Sequence, residues 1–148
     1  MKCTPLEKLL EEWQTDSVIN TTDPQLEIVR IPVLHSKYVT QITAHSVSLK
    51  MKKFDFDQLK KLKVEYYSGR LNGTDVLKEK GWKAFPALVN KPDLSAYLDA
   101  DQDLIDLKKN MIANEEAISF CTAVCKELNS RTFQLREYMA WEKFIRGQ

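Results

Sequence analysis

Six lysines, Lys50, Lys52, Lys53, Lys60, Lys61 and Lys63, stand against only Asp55 and Asp57 in one short stretch. That stretch runs into Glu65-Tyr66-Tyr67-Ser68-Gly69-Arg70. Lysine ammonium groups neutralise phosphates, and aromatic faces stack on bases whatever their identity. Clustered positive charge beside paired tyrosines therefore suits a nucleic-acid strand. The same residue types also suit a helix end, with the tyrosines packed in a core and the lysines solvated. Residue types alone leave both readings open.

Catalytic and metal chemistry find no constellation here. There is no Gly-Lys-Ser/Thr triplet of a phosphate-binding loop and no Gly-x-Ser-x-Gly elbow. His35 and His45 lack ligand spacing, and the three cysteines are an odd number. Cys121 and Cys125 sit one helical turn apart on an apolar stripe and read as buried structural residues. Asp99, Asp101 and Asp103 lack the glycine and terminal glutamate of a calcium loop and read as a helix start. Nothing forms a nucleophile, base and orienting group, so the chain reads as a binding protein and not an enzyme, with no cofactor.

The elements that must carry the basic cluster are helical. The chain has 148 residues, 43% hydrophobic and 29% charged, with 4 glycines and 5 prolines. That composition fits one folded domain and favours helix over a turn-rich sheet. No apolar run approaches the roughly 20 residues of a membrane span. Met1-Lys2-Cys3-Thr4-Pro5 leads into an amphipathic pattern without the apolar core of a signal peptide, which points to an intracellular setting. The net charge of +1 hides opposed segments. Lys50 to Lys63 is basic, whereas Asp99 to Glu116 carries six acids against Lys108 and Lys109. Such segments can attract each other within one chain or between subunits.

Thr4-Pro5-Leu6-Glu7 predicts a helix capped by Thr4 with Pro5 at its first position, ending at Thr15-Asp16-Ser17. Asp23-Pro24 starts a second helix. Pro32 predicts a break near Ile31-Pro32, followed by a long helix from about Val33 to Ser68. On a helical wheel Val47, Met51, Phe54, Leu59, Leu62 and Tyr66 share one broad face. Lys50, Lys53, Lys60 and Lys61 fall on one flank of it, and Lys52, Lys63 and Arg70 on the other. Leu49, Phe56 and Tyr67 form a second apolar strip. A helix with two apolar strips must bury both or offer one to a partner.

Leu71 to Pro92 reads as an irregular connection, broken by Asn72-Gly73, Gly81, Pro86 and Pro92. Its Trp82 and Phe85, interleaved with basic residues, fit either a strand-binding loop or a loop pinned to the core. Asp99 or Asp101 should cap the next helix. Leu104, Leu107, Met111, Ile118, Cys121, Cys125 and Leu128 then run close to a heptad seam interrupted by Asn114. Phe133, Leu135, Tyr138, Met139, Trp141, Phe144 and Ile145 crowd the last helix nearly all round, which points to subunit contacts.

These residues carry a resemblance. Glu65-Tyr66-Tyr67-Ser68-Gly69-Arg70 with Leu71-Asn72-Gly73, then Leu98-Asp99-Ala100-Asp101-Gln102-Asp103 through Asp106-Leu107-Lys108, Phe120-Cys121 and Asn129-Ser130-Arg131-Thr132-Phe133, resemble the UvsY family of recombination mediators of T4-like phages. His35-Ser36-Lys37-Tyr38 adds a weaker third block. The resemblance implies a non-enzymatic, all-α protein whose long helices flank an irregular central linker. It implies a ring-like homo-oligomer of about six or seven subunits. It also implies non-sequence-specific binding of single-stranded DNA in the host cytoplasm. There the protein would help a UvsX-type recombinase onto DNA covered by the phage single-stranded-DNA-binding protein, in recombination and repair. By position it places the family's basic pair on Lys61 and Lys63 and its closing arginine on Arg70. The residues then read as Lys61 and Lys63 on phosphates, supported by Lys60 and Arg70, with Tyr66 or Tyr67 stacking on a base and at least one of the two packed in the core. Subunit assembly falls to the C-terminal helices, through Leu104, Leu107, Met111, Ile118, Leu128, Phe133, Leu135, Met139 and Trp141. The corresponding organisation is a helical region over 1–70, a linker over 71–97 and an oligomerisation region over 98–148. Departures from the T4 pattern are the longer linker, Pro32, and lysines at shifted positions upstream of Lys61. The rival expectation is a structural helical assembly whose basic face binds an acidic protein surface, such as the Asp99–Glu116 face of a neighbour.

Overall fold

The structure is a computed structural model, which describes residues 1–85 and 89–148. Pro86, expected to break the connection, lies outside the described residues. The order is α1 (Leu6–Asp16), α2 (Pro24–Tyr67), α3 (Asp75–Lys80), α4 (Lys91–Asp99) and α5 (Gln102–Ile145), with no strand among the described residues. The all-α expectation holds. The chain packs as two units. One comprises Met1–Leu49 with Ala113–Gln148, the other Lys50–Ile112, so each long helix contributes to both. The boundaries expected near residues 70 and 98 fall inside the second unit.

In the first unit, α1 starts one residue later than its sequence suggests. Pro5 takes the cap position and no side chain caps the helix. Thr4 is otherwise engaged: its N–H donates to Gln41 Oε1 at 2.8 Å, and its carbonyl accepts from His45 Nε2 at 2.9 Å. His45 is buried, and its Nδ1 meets the Asn114 side-chain amide at 2.8 Å, so the polar interruption of the seam has a matched partner. Leu9 of α1, Leu34 and Tyr38 of α2, and Cys121, Val124 and Leu128 of α5 form the centre of the core. Each such large apolar side chain contributes roughly 1.5–3 kcal/mol by leaving water. Burial, with Cys125 adding to it, pushes the Cys121 thiol up to about 11, as expected of an inert structural cysteine.

No break occurs at Pro32, which lies inside α2. A proline there offers no N–H to the carbonyl four residues earlier, yet the helix runs on. Ile31 and Leu34 on either side are buried in the core while Pro32 is exposed, so packing holds the backbone where local propensity does not. In the β-branched stretch that follows, Thr40 and Thr43 donate their hydroxyls to the Ser36 and Val39 carbonyls one turn back, at 2.8 and 3.1 Å, and the helix continues through it.

In the second unit the expected irregular connection contains two short helices, α3 and α4. Gly81 closes α3 in the left-handed region at φ 69°, where a side chain would be strained. Pro92 sits in the first turn of α4, where its missing N–H costs nothing. Asp101 starts α5 as expected: its Oδ1 accepts from the Leu104 N–H at 3.0 Å.

Candidate nucleic-acid interface

The Tyr-Tyr-Ser-Gly-Arg segment is the C-terminus of α2. Arg70 N–H donates to the Glu65 carbonyl and Gly69 N–H to the Tyr66 carbonyl, both at 3.1 Å, with Gly69 at φ 78°. This double closure needs a left-handed residue, which explains the glycine. Tyr66 and Tyr67 then meet Trp82 and Phe85 of the following loop. Ring centroids lie 5.1 Å apart for Tyr66–Tyr67, 5.2 Å for Tyr66–Trp82 and 5.1 Å for Tyr67–Phe85, and Tyr97 of α4 joins at 5.6 Å from Tyr67. Asn72 fixes the loop by exchanging hydrogen bonds with the Phe85 backbone at 3.2 Å each way. Trp82 and Phe85 therefore pin the loop. The two tyrosines are half-buried, and both hydroxyls are engaged, Tyr66 with the Lys83 carbonyl at 2.7 Å and Tyr67 with Asp101 Oδ2 at 2.6 Å.

Lys63 does not face solvent. It is 5% exposed, with Nζ 3.0 Å from Asp101 Oδ2, 2.8 Å from Asp103 Oδ2 and 4.0 Å from the Trp82 ring centroid. The ammonium is thus enclosed by two carboxylates and an aromatic face, and no position remains for a phosphate in this arrangement. The opposed charge of the two segments is here satisfied within one chain. Burial pushes the Asp101 carboxyl up, but the Tyr67 hydroxyl, the Leu104 N–H and Lys63 together outweigh it and hold the group below its usual value. Burial, then the bond to Asp101, raises the Tyr67 hydroxyl, which stays protonated.

Lys50, Lys53, Lys60 and Lys61 are all exposed, and among the described residues none enters an ion pair. Lys50, Phe54 and Lys61 recur at steps that bring them to one face of α2, with Lys53 and Lys60 on its flank. Phe54 is 71% exposed and Met51 beside it 62%. Of the two apolar strips, the Leu49–Phe56–Tyr67 strip is half-buried, and Lys108 Nζ lies 5.6 Å from the Phe56 ring centroid. The strip left open is Met51–Phe54, inside the lysine cluster. Phe54 was not among the residues expected to meet a strand, although its place between the lysines on the wheel was the available signal. Arg70 is exposed just past the helix end. Among the described residues no group of three or more His, Cys, Asp or Glu could hold a metal ion, and no helix is long and apolar enough to cross a membrane.

A family model described as "Recombination, repair and ssDNA binding protein UvsY" matches residues 12–148. The chain belongs to the UvsY family. The recombination protein uvsY of Enterobacteria phage T4 is 25% identical over 147 residues, covering 97% of this chain and 98% of that protein. Two crystal structures of the bacteriophage T4 recombination mediator protein UvsY, lattice types IV and II, match with TM-scores of 0.81 and 0.80 at 21% and 22% identity. They cover 95% of this chain in each case, and 99% and 97% of the T4 chains. At that identity the structural likeness establishes the fold.

Within this UvsY-family fold the expected assembly residues separate by burial. Leu104, Leu128 and Leu135 are 2%, 0% and 3% exposed, so the chain's own core uses them and they offer nothing to a second subunit. Leu107, Met111, Ile118 and Met139 are half-buried. Phe133 and Trp141 are exposed, together with Phe144 and Ile145 at the end of α5. The even distribution of bulky residues round the last helix did not reveal which of them face inward.

Proposed function

We propose that this UvsY-family chain is a recombination mediator that binds single-stranded DNA without sequence preference through the exposed basic face of α2. Lys60 and Lys61 contact phosphates, with Lys50, Lys53 and Arg70 extending the track, and Phe54 stacks on a base. Lys63, Tyr66 and Tyr67 act one layer below, holding the end of α2 against its loop and the start of α5. The observation that carries this reading is the exposure of an aromatic ring beside four exposed lysines, on one helix face and its flank, that enter no ion pair among the described residues. That combination is what a sequence-tolerant strand site requires.

One face of this size binds weakly at physiological salt. A homo-oligomeric ring of about six or seven subunits repeats it and captures the strand at high effective concentration. Exposed Phe133, Trp141, Phe144 and Ile145 are apolar surface of the kind such rings bury between subunits. The wrapped strand is then presented to a UvsX-type recombinase in place of the phage single-stranded-DNA-binding protein, in the host cytoplasm. The protein acts by binding and not by catalysis.

The test pairs light-scattering mass with fluorescence anisotropy on labelled oligothymidylate, followed by recombinase filament assembly on DNA coated with the single-stranded-DNA-binding protein. A closed oligomer that binds in a salt-sensitive way and speeds filament assembly supports the reading. A large oligomer that ignores DNA favours the scaffold whose basic face binds an acidic protein surface.

A further inference from the structure

Lys53, Lys60 and Tyr67 follow one another at seven-residue steps along α2. That spacing keeps them on one row of the helix surface, each about 10 Å beyond the last. Both lysines are exposed. Tyr67 ends the row half-buried, its hydroxyl bound to Asp101 Oδ2. Tyr97 of α4 packs against it, with ring centroids 5.6 Å apart, and also meets the Phe85 ring edge-on at 5.8 Å. Tyr66, Tyr67, Trp82 and Phe85 are half-buried within this cluster, whereas Tyr97 at its edge is 43% exposed. Leu98, the next residue of α4, is buried and fastens the helix that carries the ring. Lys53, Lys60, Tyr67 and Tyr97 all belong to the second unit.

We propose that Tyr97 is a second stacking platform for the strand, taking a base on its exposed side while Lys53 and Lys60 hold the phosphates that lead to it. The proposal rests on the reading of α2 as a single-strand site and gives that site its path, since the helix rises about 20 Å from Phe54 to Tyr67. Tyr67 and Phe85 hold the Tyr97 ring in place, so little side-chain freedom is lost when a base stacks on it. Stacking uses the π face that every base has, which keeps the site tolerant of sequence. The surroundings select a base over a protein partner. Beside Tyr97 on α4 the exposed residues are Asp93, Ala96 and Ala100, polar or small, so the ring does not stand in an apolar patch of the kind protein interfaces bury. The Asp93 carboxylate, one turn back, repels phosphates and leaves the backbone on the lysine side of the ring.

The experiment measures anisotropy on labelled oligothymidylate and on an abasic strand of equal length and charge, with the full-length protein and its Tyr97→Phe, Tyr97→Leu and Tyr97→Ala variants. The wild type should prefer the strand that carries bases. Tyr97→Leu, which fills the cluster without a π face, and Tyr97→Ala should weaken oligothymidylate binding about fivefold to a hundredfold per engaged site. Abasic binding and the salt slope should stay as in the wild type, because the phosphate contacts remain. Tyr97→Phe should bind as the wild type does. Unchanged oligothymidylate affinity in Tyr97→Leu overturns the proposal, and the salt slope of Lys60→Ala then still reports whether α2 holds the strand. Equal losses on the two strands overturn it in favour of a packing role. A smaller oligomer for Tyr97→Leu, with its preference for bases kept, overturns it in favour of a subunit contact. If Tyr97→Ala does not fold, Tyr97→Leu and Tyr97→Phe decide the matter on folded protein. A wild type that binds neither strand removes the reading of α2 and the proposal together.

Discussion

The Lys63 ammonium lies 3.0 Å from Asp101 Oδ2, and the side chains are 6% and 4% exposed. The other oxygen of that carboxylate caps α5 through the Leu104 N–H. One lysine of the basic stretch is thus committed to joining the end of α2 to the start of α5. Removing it leaves a carboxylate buried without its cation, which costs about 3–5 kcal/mol. Lys63→Ala should lower the urea midpoint accordingly. Where it is still folded, its salt dependence of DNA binding should match the wild type. An unchanged midpoint with a flattened salt dependence would return Lys63 to the strand.

The same carboxylate gives an acid limb. The Asp101 group is held below its unfolded value near 3.8, so its contribution is complete above that value. It is lost as pH falls through the lower, folded one. Stability should therefore decline below about pH 4, and Asp101→Asn should flatten that decline while lowering stability at neutral pH. Denaturant titrations across pH 2–7 measure both, and an acid limb unaltered in the variant would contradict the assignment.

Phe54 is exposed, so Phe54→Ala should leave stability within about 0.5 kcal/mol. Loss of a stacked base should cost about 1–3 kcal/mol of strand affinity per engaged site. Anisotropy on oligothymidylate with a thermal melt separates the two. A large change in melting with no change in affinity would make Phe54 a packing residue.

Pro32→Ala restores a backbone donor inside a helix that already passes through the position. It should stabilise the protein by up to about 3 kcal/mol without altering DNA binding. A destabilised variant would mean that the ring packs against a neighbour, for instance another subunit.

Helical periodicity, the Asp101 cap and the all-α class were legible because each depends on short-range pattern. Pro32 was misleading because Ile31 and Leu34, buried by distant residues of α1 and α5, override local propensity. At the site, the wheel already set Lys61 and Lys63 on opposite flanks of α2. It could not say which flank the acids of α5 would cover, since that depends on pairing across 40 residues. The same dependence hid Phe54, whose face looks apolar until the packing leaves it open.

The most direct test of the account is the slope of log affinity against log salt for oligothymidylate, in the wild type and in Lys60→Ala with Lys61→Ala. Each phosphate that the variant no longer neutralises on a single strand should reduce the slope by about 0.7. For the two lysines together the expected reduction is about 1.4 per engaged subunit, with oligomer mass and melting temperature unchanged. An unaltered slope in a folded, correctly assembled variant would contradict it.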